Sequence, residues 1–372
     1  MLALPIFSSM LGVGIISPLL PLYAENMGAT GVWIGIIFAS FAISRTVVMP
    51  IIGRLSDHGS RKLFLSAGLF GFAIISLGYI WADSIFQLTL VRFLHGAAAG
   101  MVLPIAQAYV GDIAPEGDEG AWMGYFNAAF FSGFGVGPLM GGILAEHFGI
   151  DVAFYSMGGF NLLAFLIVVL FLPDAKPRKA TTQSHPSFRE ISASKMVRGI
   201  FSFRLAFSIG RGTFATFLPV FAGLYLGLSS SLIGVLLAVN ILLMSLLQVH
   251  GGKLADRFNR RTLVIIGSLT NIVYLAIIPL GGDFWQLLGI CALGGLAGAI
   301  AVPASTALTV GEGRRFGMGS TMAVIGVAFS IGIAIGPIIS GAIADASSVA
   351  LVFYFVAGIA FIGTALFAWF TR

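Results

Sequence analysis

The sequence predicts an all-α polytopic membrane protein of twelve transmembrane helices arranged as two parallel six-helix repeats. Of its 372 residues, 58% are hydrophobic and only 9% are charged, and the mean hydropathy is +1.00. A soluble domain carries about 25% charged residues, so this composition cannot clothe a water-facing surface. Uncharged apolar runs of about 20 residues, enough to cross a bilayer, recur along the whole length. The chain also writes one charged turn twice. Gly53-Arg54-Leu55-Ser56-Asp57-His58-Gly59-Ser60-Arg61-Lys62 returns 199 residues later as Gly252-Lys253-Leu254-Ala255-Asp256-Arg257-Phe258-Asn259-Arg260-Arg261.

The same offset carries Gly68 onto Gly267, Gly96 onto Gly295, Pro104 onto Pro303 and Gly133 onto Gly332. It continues through Gly137-Pro138 and Gly336-Pro337, Gly142 and Gly341, Glu146 and Asp345, and Phe154-Tyr155 and Phe353-Tyr354. A constant offset maintained from position 53 to 155 marks two copies of one unit joined head to tail.

Charged and turn-forming clusters divide the chain into spans at 3–24, 32–54, 62–81, 85–110, 120–145, 151–172, 200–226, 232–252, 261–281, 284–310, 317–343 and 349–370. Between the sixth and seventh lies the one long polar stretch, read as a flexible linker. The expected organisation is an N-terminal bundle at 1–173, a linker at 174–198 and a C-terminal bundle at 199–372. The first span begins apolar and has no Lys or Arg before it, which reads as a membrane helix and not a cleaved signal.

Charge is sorted between the loops. Arg54, Arg61, Lys62, the six basic residues of the linker, Lys253, Arg257, Arg260, Arg261, Arg314, Arg315 and Arg372 fall on one side. The opposite loops carry Glu25, Asp83, Glu146, Asp151, Asp283 and Asp345 and no Lys or Arg. The positive-inside rule then places the repeated turns, the linker and both termini in the cytoplasm, with the protein in the plasma membrane. This distribution also argues against nucleic acid as the partner of the +5 net charge.

Within this frame a few side chains stand out. Asp57 sits where one helix ends and the next begins, placed to accept from backbone amides and to pair with Arg61; Asp112 ends the fourth span on the same side. Gly133, Gly137 and Gly141 fall four apart, so they line one helix face and let backbones approach closely in lipid, while Pro138 favours a kink. The eleventh span repeats this with Gly332, Gly336-Pro337 and Ser340. Arg92 lies deep in the fourth span, where an arginine costs at least about 2.5 kcal/mol on insertion scales; it should face a wet cavity or a partner. All fifteen Asp and Glu residues fall at helix ends or in loops. Arg45, Arg92 and Arg211 are therefore expected to make the interior positive, favouring a neutral or anionic substrate over a dication.

The chain resembles the major facilitator superfamily, and within it the twelve-helix drug–proton antiporters. The resemblance rests on the repeated turn, on Leu90-Val91-Arg92-Phe93-Leu94-His95-Gly96, on the run 133–142, and on Ile16-Ser17-Pro18-Leu19-Leu20-Pro21. It implies a cytoplasmic gate at Gly53, Asp57, Arg61, Lys62 and Asp112, with Gly252, Asp256 and Arg260 in the second copy. It implies a hinge and seal at the interface between the halves, formed by Gly133, Gly137, Pro138, Gly141 and Gly142 with Gly336 and Pro337. Arg92 would take part in proton coupling. Arg92, Gln107, Arg211 and Thr306 would line the cavity, and Arg45 and Asn240 would lie on helices between the halves. The family usually has Arg where His58 stands and Gly where Ser60 stands, which points to a weaker or pH-sensitive first gate.

Comparison of the two copies singles out polar residues without a counterpart. Arg92 maps to Cys291, Arg45 to Met244, Asn127 to Gly326, Asp112 to Gly311, Arg211 to Gly12 and Asn240 to Phe41. Asn127 and Asn240 have a second reading as hydrogen-bond links between helices. Proton carriers would be Glu25, Asp112 or His95.

The function expected is proton-coupled export of small amphipathic compounds by a monomer embedded in lipid. An uptake carrier or exchanger of an anionic metabolite is the alternative. A membrane-embedded enzyme or lipid scramblase finds little support. Histidines 58, 95, 147, 185 and 250 lack metal-ligand spacing, no phosphate-loop pattern occurs, and the one cysteine, Cys291, excludes an intrachain disulfide. No cofactor or metal is expected.

Overall fold

The structure, a computed structural model, describes residues 2–113, 119–174, 188–316 and 318–372. Within these, the side chains at 50, 53, 54, 57, 58, 111, 119–121, 123, 124, 314, 318–320 and 323 fall outside the description.

The elements are α1 (Ala3–Ile15), α2 (Leu20–Asn26), α3 (Gly31–His58), α4 (Arg61–Gly78), α5 (Ile85–Ile113), α6 (Glu119–Phe148) and α7 (Ile150–Phe171). They continue as α8 (Phe188–Ala193), α9 (Lys195–Val220), α10 (Ser230–Arg257), α11 (Arg260–Ile277), α12 (Phe284–Phe316), α13 (Met318–Ala346) and α14 (Val349–Phe370). Among the described residues, twelve helical stretches are long and apolar enough to cross a membrane. An α-helix pairs its backbone polar groups within the span, as a water-free bilayer core requires; Pro104, Pro138, Pro219, Pro303 and Pro337 interrupt that pairing locally.

Two expected boundaries differ. The first span is two helices, because Pro18 has no amide to donate and Pro21 occupies the first turn of α2. The seventh span begins at Lys195, inside the stretch expected to be linker, since the Ser194 hydroxyl accepts from the Val197 amide and so caps α9. The same stretch also contains α8, so its C-terminal part is helical and not flexible coil.

Local chemistry explains why the repeated turn returns. The Ser60 hydroxyl accepts from the Leu63 amide to cap α4. The Asn259 side chain accepts from the Arg261 and Thr262 amides to cap α11 at the equivalent position. Different residues thus start the third and ninth spans in the same way, and the Ser60 departure supplies a cap that glycine lacks.

The chain resolves into two compact units. One contains Met1–Ala29, Ile36–Ala180 and Leu228–Ala238; the other contains Thr30–Gly35, Thr181–Gly227 and Val239–Arg372. In the first, α1 packs on α6 and α7, and α4 packs on α5 and α7. Its core includes Ile6, Leu65, Leu69, Phe72, Val102, Tyr109 and Val168. In the second, α9 packs on α13 and α14, and α11 packs on α12 and α14, around Ile200, Phe203, Val264, Ala301 and Phe367. Each pairing in one unit is the repeat of a pairing in the other.

The glycine stripe explains the tightest of these pairings. Gly133 faces the Phe7 carbonyl, Gly141 faces the Ile15 carbonyl, and a β-carbon at Gly137 would lie 2.5 Å from the Gly14 Cα. The stripe therefore seats α6 on α1 of its own unit. Pro138 and Gly142 meet the start of α10, where Gly234 faces the Pro138 carbonyl and Gly142 faces the Ser230 carbonyl. In the second unit Gly332 faces the Leu205 carbonyl and Gly336 the Ile209 carbonyl, and the Ser340 and Thr213 hydroxyls pair at 2.7 Å. There Gly341 meets Gly31 and Gly35 meets Pro337.

Gly137→Val would overpack the α1–α6 contact and cost about 1–3 kcal/mol, whereas Gly159, with nothing within 4 Å of an added β-carbon, should accept alanine. Thermal denaturation of the two purified variants checks this, and equal melting temperatures would contradict the assignment.

Candidate functional site

Arg92 projects from α5 into an aromatic enclosure and is only 7% exposed. Its guanidinium carbon lies 4.5 Å from the Phe41 ring centroid and 5.2 Å from that of Phe38. A desolvated cation over aromatic faces gains about 2 kcal/mol, which offsets part of the cost of its depth. Its Nη1 also donates to the Tyr79 hydroxyl at 3.5 Å. That hydroxyl lies 2.8 Å from His95 Nδ1. His95 is fully buried, with Phe41, Phe72 and Tyr79 edge-on around it. Arg92 Nε and His95 Nε2 are enclosed without a hydrogen-bond partner among the described residues. The face of α5 that continues through Gly96 and Gly100 packs on α3, against Phe41 and the Arg45 carbonyl. Arg92 is thus answered by aromatic and tyrosine partners and not by an open cavity.

The second unit holds a different arrangement. Arg211 Nη1 donates to Asn240 Oδ1 at 3.1 Å, and Asn240 Nδ2 donates to the Cys291 carbonyl at 3.0 Å. Asn240 is buried and links α9, α10 and α12, in accord with the hydrogen-bonding alternative. Two turns earlier on α9, Arg204 Nη2 donates to Thr306 Oγ1 at 2.6 Å. Sequence reasoning missed Arg204; the signal was its spacing of seven from Arg211, which puts both on one helix face.

The other residues singled out are less connected. Gln107 is partly buried, Thr306 is exposed beside Arg204, and Arg45 is partly buried with no hydrogen bond among the described residues. Asn127 is exposed and has no hydrogen bond among the described residues, so no interhelical link through it is seen there. Glu25 is partly exposed in α2. Among the described residues no group of acidic, histidine or cysteine side chains could hold a metal ion.

At the end bearing the basic turns, Arg61 Nε pairs with Asp112 Oδ2 at 2.5 Å, with both side chains under a tenth exposed. Arg61 Nη1 also donates to Ser56 Oγ at 3.0 Å. Asp112 is therefore a direct partner of Arg61; the proposed gate side chains at Gly53 and Asp57 lie outside the description, and Lys62 is partly exposed. In the second copy Arg260 lies 3.8 Å from Asp256, both exposed, and its Nε donates to the Ala255 carbonyl. Gly252 has no neighbour within 4 Å of an added β-carbon. The two copies differ because the position of Asp112 is Gly311 in the second, leaving no carboxylate to enclose.

At the opposite end the repeat is complete. Asp345 at the end of α13 accepts from the amides of Gly31 at 2.5 Å and Val32 at 2.9 Å. Glu146 at the end of α6 accepts from the Ser231 amide at 3.0 Å. Each carboxylate thus sits on the amide-rich start of a helix from the other sequence half, α3 or α10, where negative charge is favoured. Gly31 and Ser230 stand at the same 199-residue offset as Glu146 and Asp345, so the sequence contained both partners of each clamp.

Two like units of apolar helices, with arginines inside and polar clamps at the helix ends, define an integral membrane carrier of the helical-bundle type. The family profile of the Major Facilitator Superfamily matches residues 2–225 and 200–372, and the chain belongs to that superfamily. It is 32% identical over 366 residues to an MFS-type transporter of Methanocaldococcus jannaschii, covering 94% of this chain and 92% of the relative. It is 28% identical over 350 residues to the quinolone resistance protein NorA of Staphylococcus aureus, covering 91% and 88%. A solved structure of a bacterial homolog of the human lysosomal transporter Spinster, inward-facing and unoccupied, shares the fold with a TM-score of 0.86 at 15% identity, covering 100% and 95%. The protein is an MFS transporter and not an enzyme.

Asp112→Asn would remove the charge of an enclosed partner of Arg61 and cost up to about 3 kcal/mol, whereas Arg260→Gln, at an exposed pair, should cost under about 1 kcal/mol. Thermal melts of both variants test the contrast, and equal losses would contradict it.

Proposed function

We propose that the protein exports small amphipathic compounds in exchange for protons, by alternating access between its six-helix halves at 1–173 and 199–372. The carrying observation is the buried Arg92–Tyr79–His95 chain, a titratable imidazole held beside a fixed cation within the first unit. Among the described residues no carboxylate shares that enclosure, so the Tyr79 hydroxyl is the hydrogen-bond partner of the imidazole there. The kinship with a quinolone resistance protein supports the direction, outward, and the amphipathic substrate class. Glu146 and Asp345, each seated on a helix start from the other sequence half, would secure the outer end, while Arg61–Asp112 ties α4 to α5 within the first half at the basic end. The protein would act as a monomer in the plasma membrane.

A second reading, exchange of a small anionic metabolite, is favoured by the arginines of the spans. Arg45, Arg92, Arg204 and Arg211 have no ion pair among the described residues, and their combined field attracts anions.

The test is proton flux in liposomes loaded with a pH-sensitive dye. Neutral or charged amphiphiles should drive proton movement, reduced at least tenfold in Arg92→Ala. His95→Gln should retain substrate binding and lose the pH dependence of transport. A response confined to small polar anions such as phosphate or succinate would replace the exporter reading with anion exchange. Undiminished coupling in His95→Gln would remove His95 as carrier.

A further inference from the structure

We propose that α9 carries an oxyanion-binding stripe, built from Arg211 and Arg204, and that the exported compound presents a carboxylate or similar oxyanion to it. The inference rests on the exporter reading and narrows its substrate class to amphipathic anions.

Accessibility is the first observation. The apolar window of α9 is 78% buried, the highest share among the twelve spans. Between positions 206 and 220 only Arg211 and Ala215 retain exposure, and Arg204 is the next accessible arginine toward the helix start. Seven residues are two turns, about 10 Å, so both guanidiniums emerge on one face. An arginine does not face hydrocarbon, so the accessible stripe opens on an internal, wetted space.

The second observation is an excess of donors. Arg211 is held by Asn240 and Arg204 by Thr306, each through a neutral oxygen. A guanidinium has five N–H groups, and neither arginine has a carboxylate partner among the described residues. Arg204 Nε is enclosed with no acceptor among the described residues. Asn240 is itself anchored on the Cys291 carbonyl, and Thr306 donates to the Val302 carbonyl. Both are positioning residues: they fix the arginine forks while leaving N–H groups for a planar, two-oxygen anion, the geometry that arginine matches.

Asymmetry is the third. The equivalents of Arg204 and Arg211 in the first half are Pro5 and Gly12, and Gly12 is packed against the Asn161 side chain. The shared scaffold therefore does not need these charges. Arg92, by contrast, is engaged by Phe38, Phe41 and Tyr79. Arg204 and Arg211 are the two arginines that share a helix face with N–H groups left over for a ligand.

Equilibrium dialysis of the full-length protein in lipid nanodiscs tests the proposal, using probes with one apolar body: 1-naphthoate, naphthalene-1-sulfonate, 1-naphthalenemethanol and 1-naphthylmethylammonium. The two anions should bind at least tenfold more tightly than the ammonium probe. Arg204→Gln and Arg211→Gln should each weaken anion binding at least tenfold and leave the neutral probe unchanged. Arg211→Lys should retain part of the preference, and Lys253→Gln, at an exposed position, should change nothing. Equal affinity for anion and cation, absence of anion binding, or anion binding unaltered in both glutamine variants overturns the proposal. Anion binding lost in the variants while liposomes show no proton flux would uphold the stripe and remove the exporter reading. Proton flux driven by neutral or cationic compounds, with no charge preference in binding, would do the reverse.

Discussion

Backbone-to-backbone contact between α1 and α6, repeated between α9 and α13, is the constraint on which the arrangement of the other helices depends. In a bilayer there is no hydrophobic drive to hold one apolar helix against another, so association comes from dispersion at close range and from hydrogen bonds. Gly133, Gly137 and Gly141 remove the side chains that would keep α6 away from α1. Once that distance is set, the next turn of α6 carries Gly142 onto Ser230 and Glu146 onto the amide of Ser231. The same sequence of contacts carries Gly341 onto Gly31 and Asp345 onto the first amides of α3. Packing and clamp thus lie on two adjacent stripes of α6, one of Gly133, Gly137 and Gly141 against α1 and one of Pro138, Gly142 and Glu146 against the start of α10.

Charge is handled in two ways that the repeat keeps separate. In the first unit Arg92 is enclosed by aromatic faces and a tyrosine hydroxyl, and its charge borders a buried imidazole. In the second unit Arg211 and Arg204 rest on amide and hydroxyl oxygens and stay accessible. The difference follows from single substitutions between copies. Phe41 in one half is Asn240 in the other, so an aromatic face that holds a cation becomes an amide that orients one. The first arrangement suits a proton relay, and the second a ligand with negative charge.

Much of this was legible in the order of residues. Composition required a membrane, the 199-residue offset required two like halves, and the unmatched positions pointed to Arg92, Arg211 and Asn240, which do anchor the two polar clusters. Spacing also revealed that the glycines share a face. It did not say which helix that face meets, and the family resemblance put it between the halves. Asp112 was recognisable as a neighbour of Arg61 because both end spans on the same side. Asn127 looked as informative as Asn240, yet one lies exposed and the other links three helices.

The sequence by itself determined the class, the span count, the repeat and the identity of the residues that break it, because these depend on composition and periodicity along one chain. Only the tertiary structure decided which groups meet: Tyr79 with His95 across sixteen positions, Arg204 with Thr306 across 102, and Asp345 with Gly31 across 314. Those pairings depend on helix rotation and depth, which are set by where small residues allow two backbones to approach. Hydropathy is nearly uniform around these helices and carries little record of that choice.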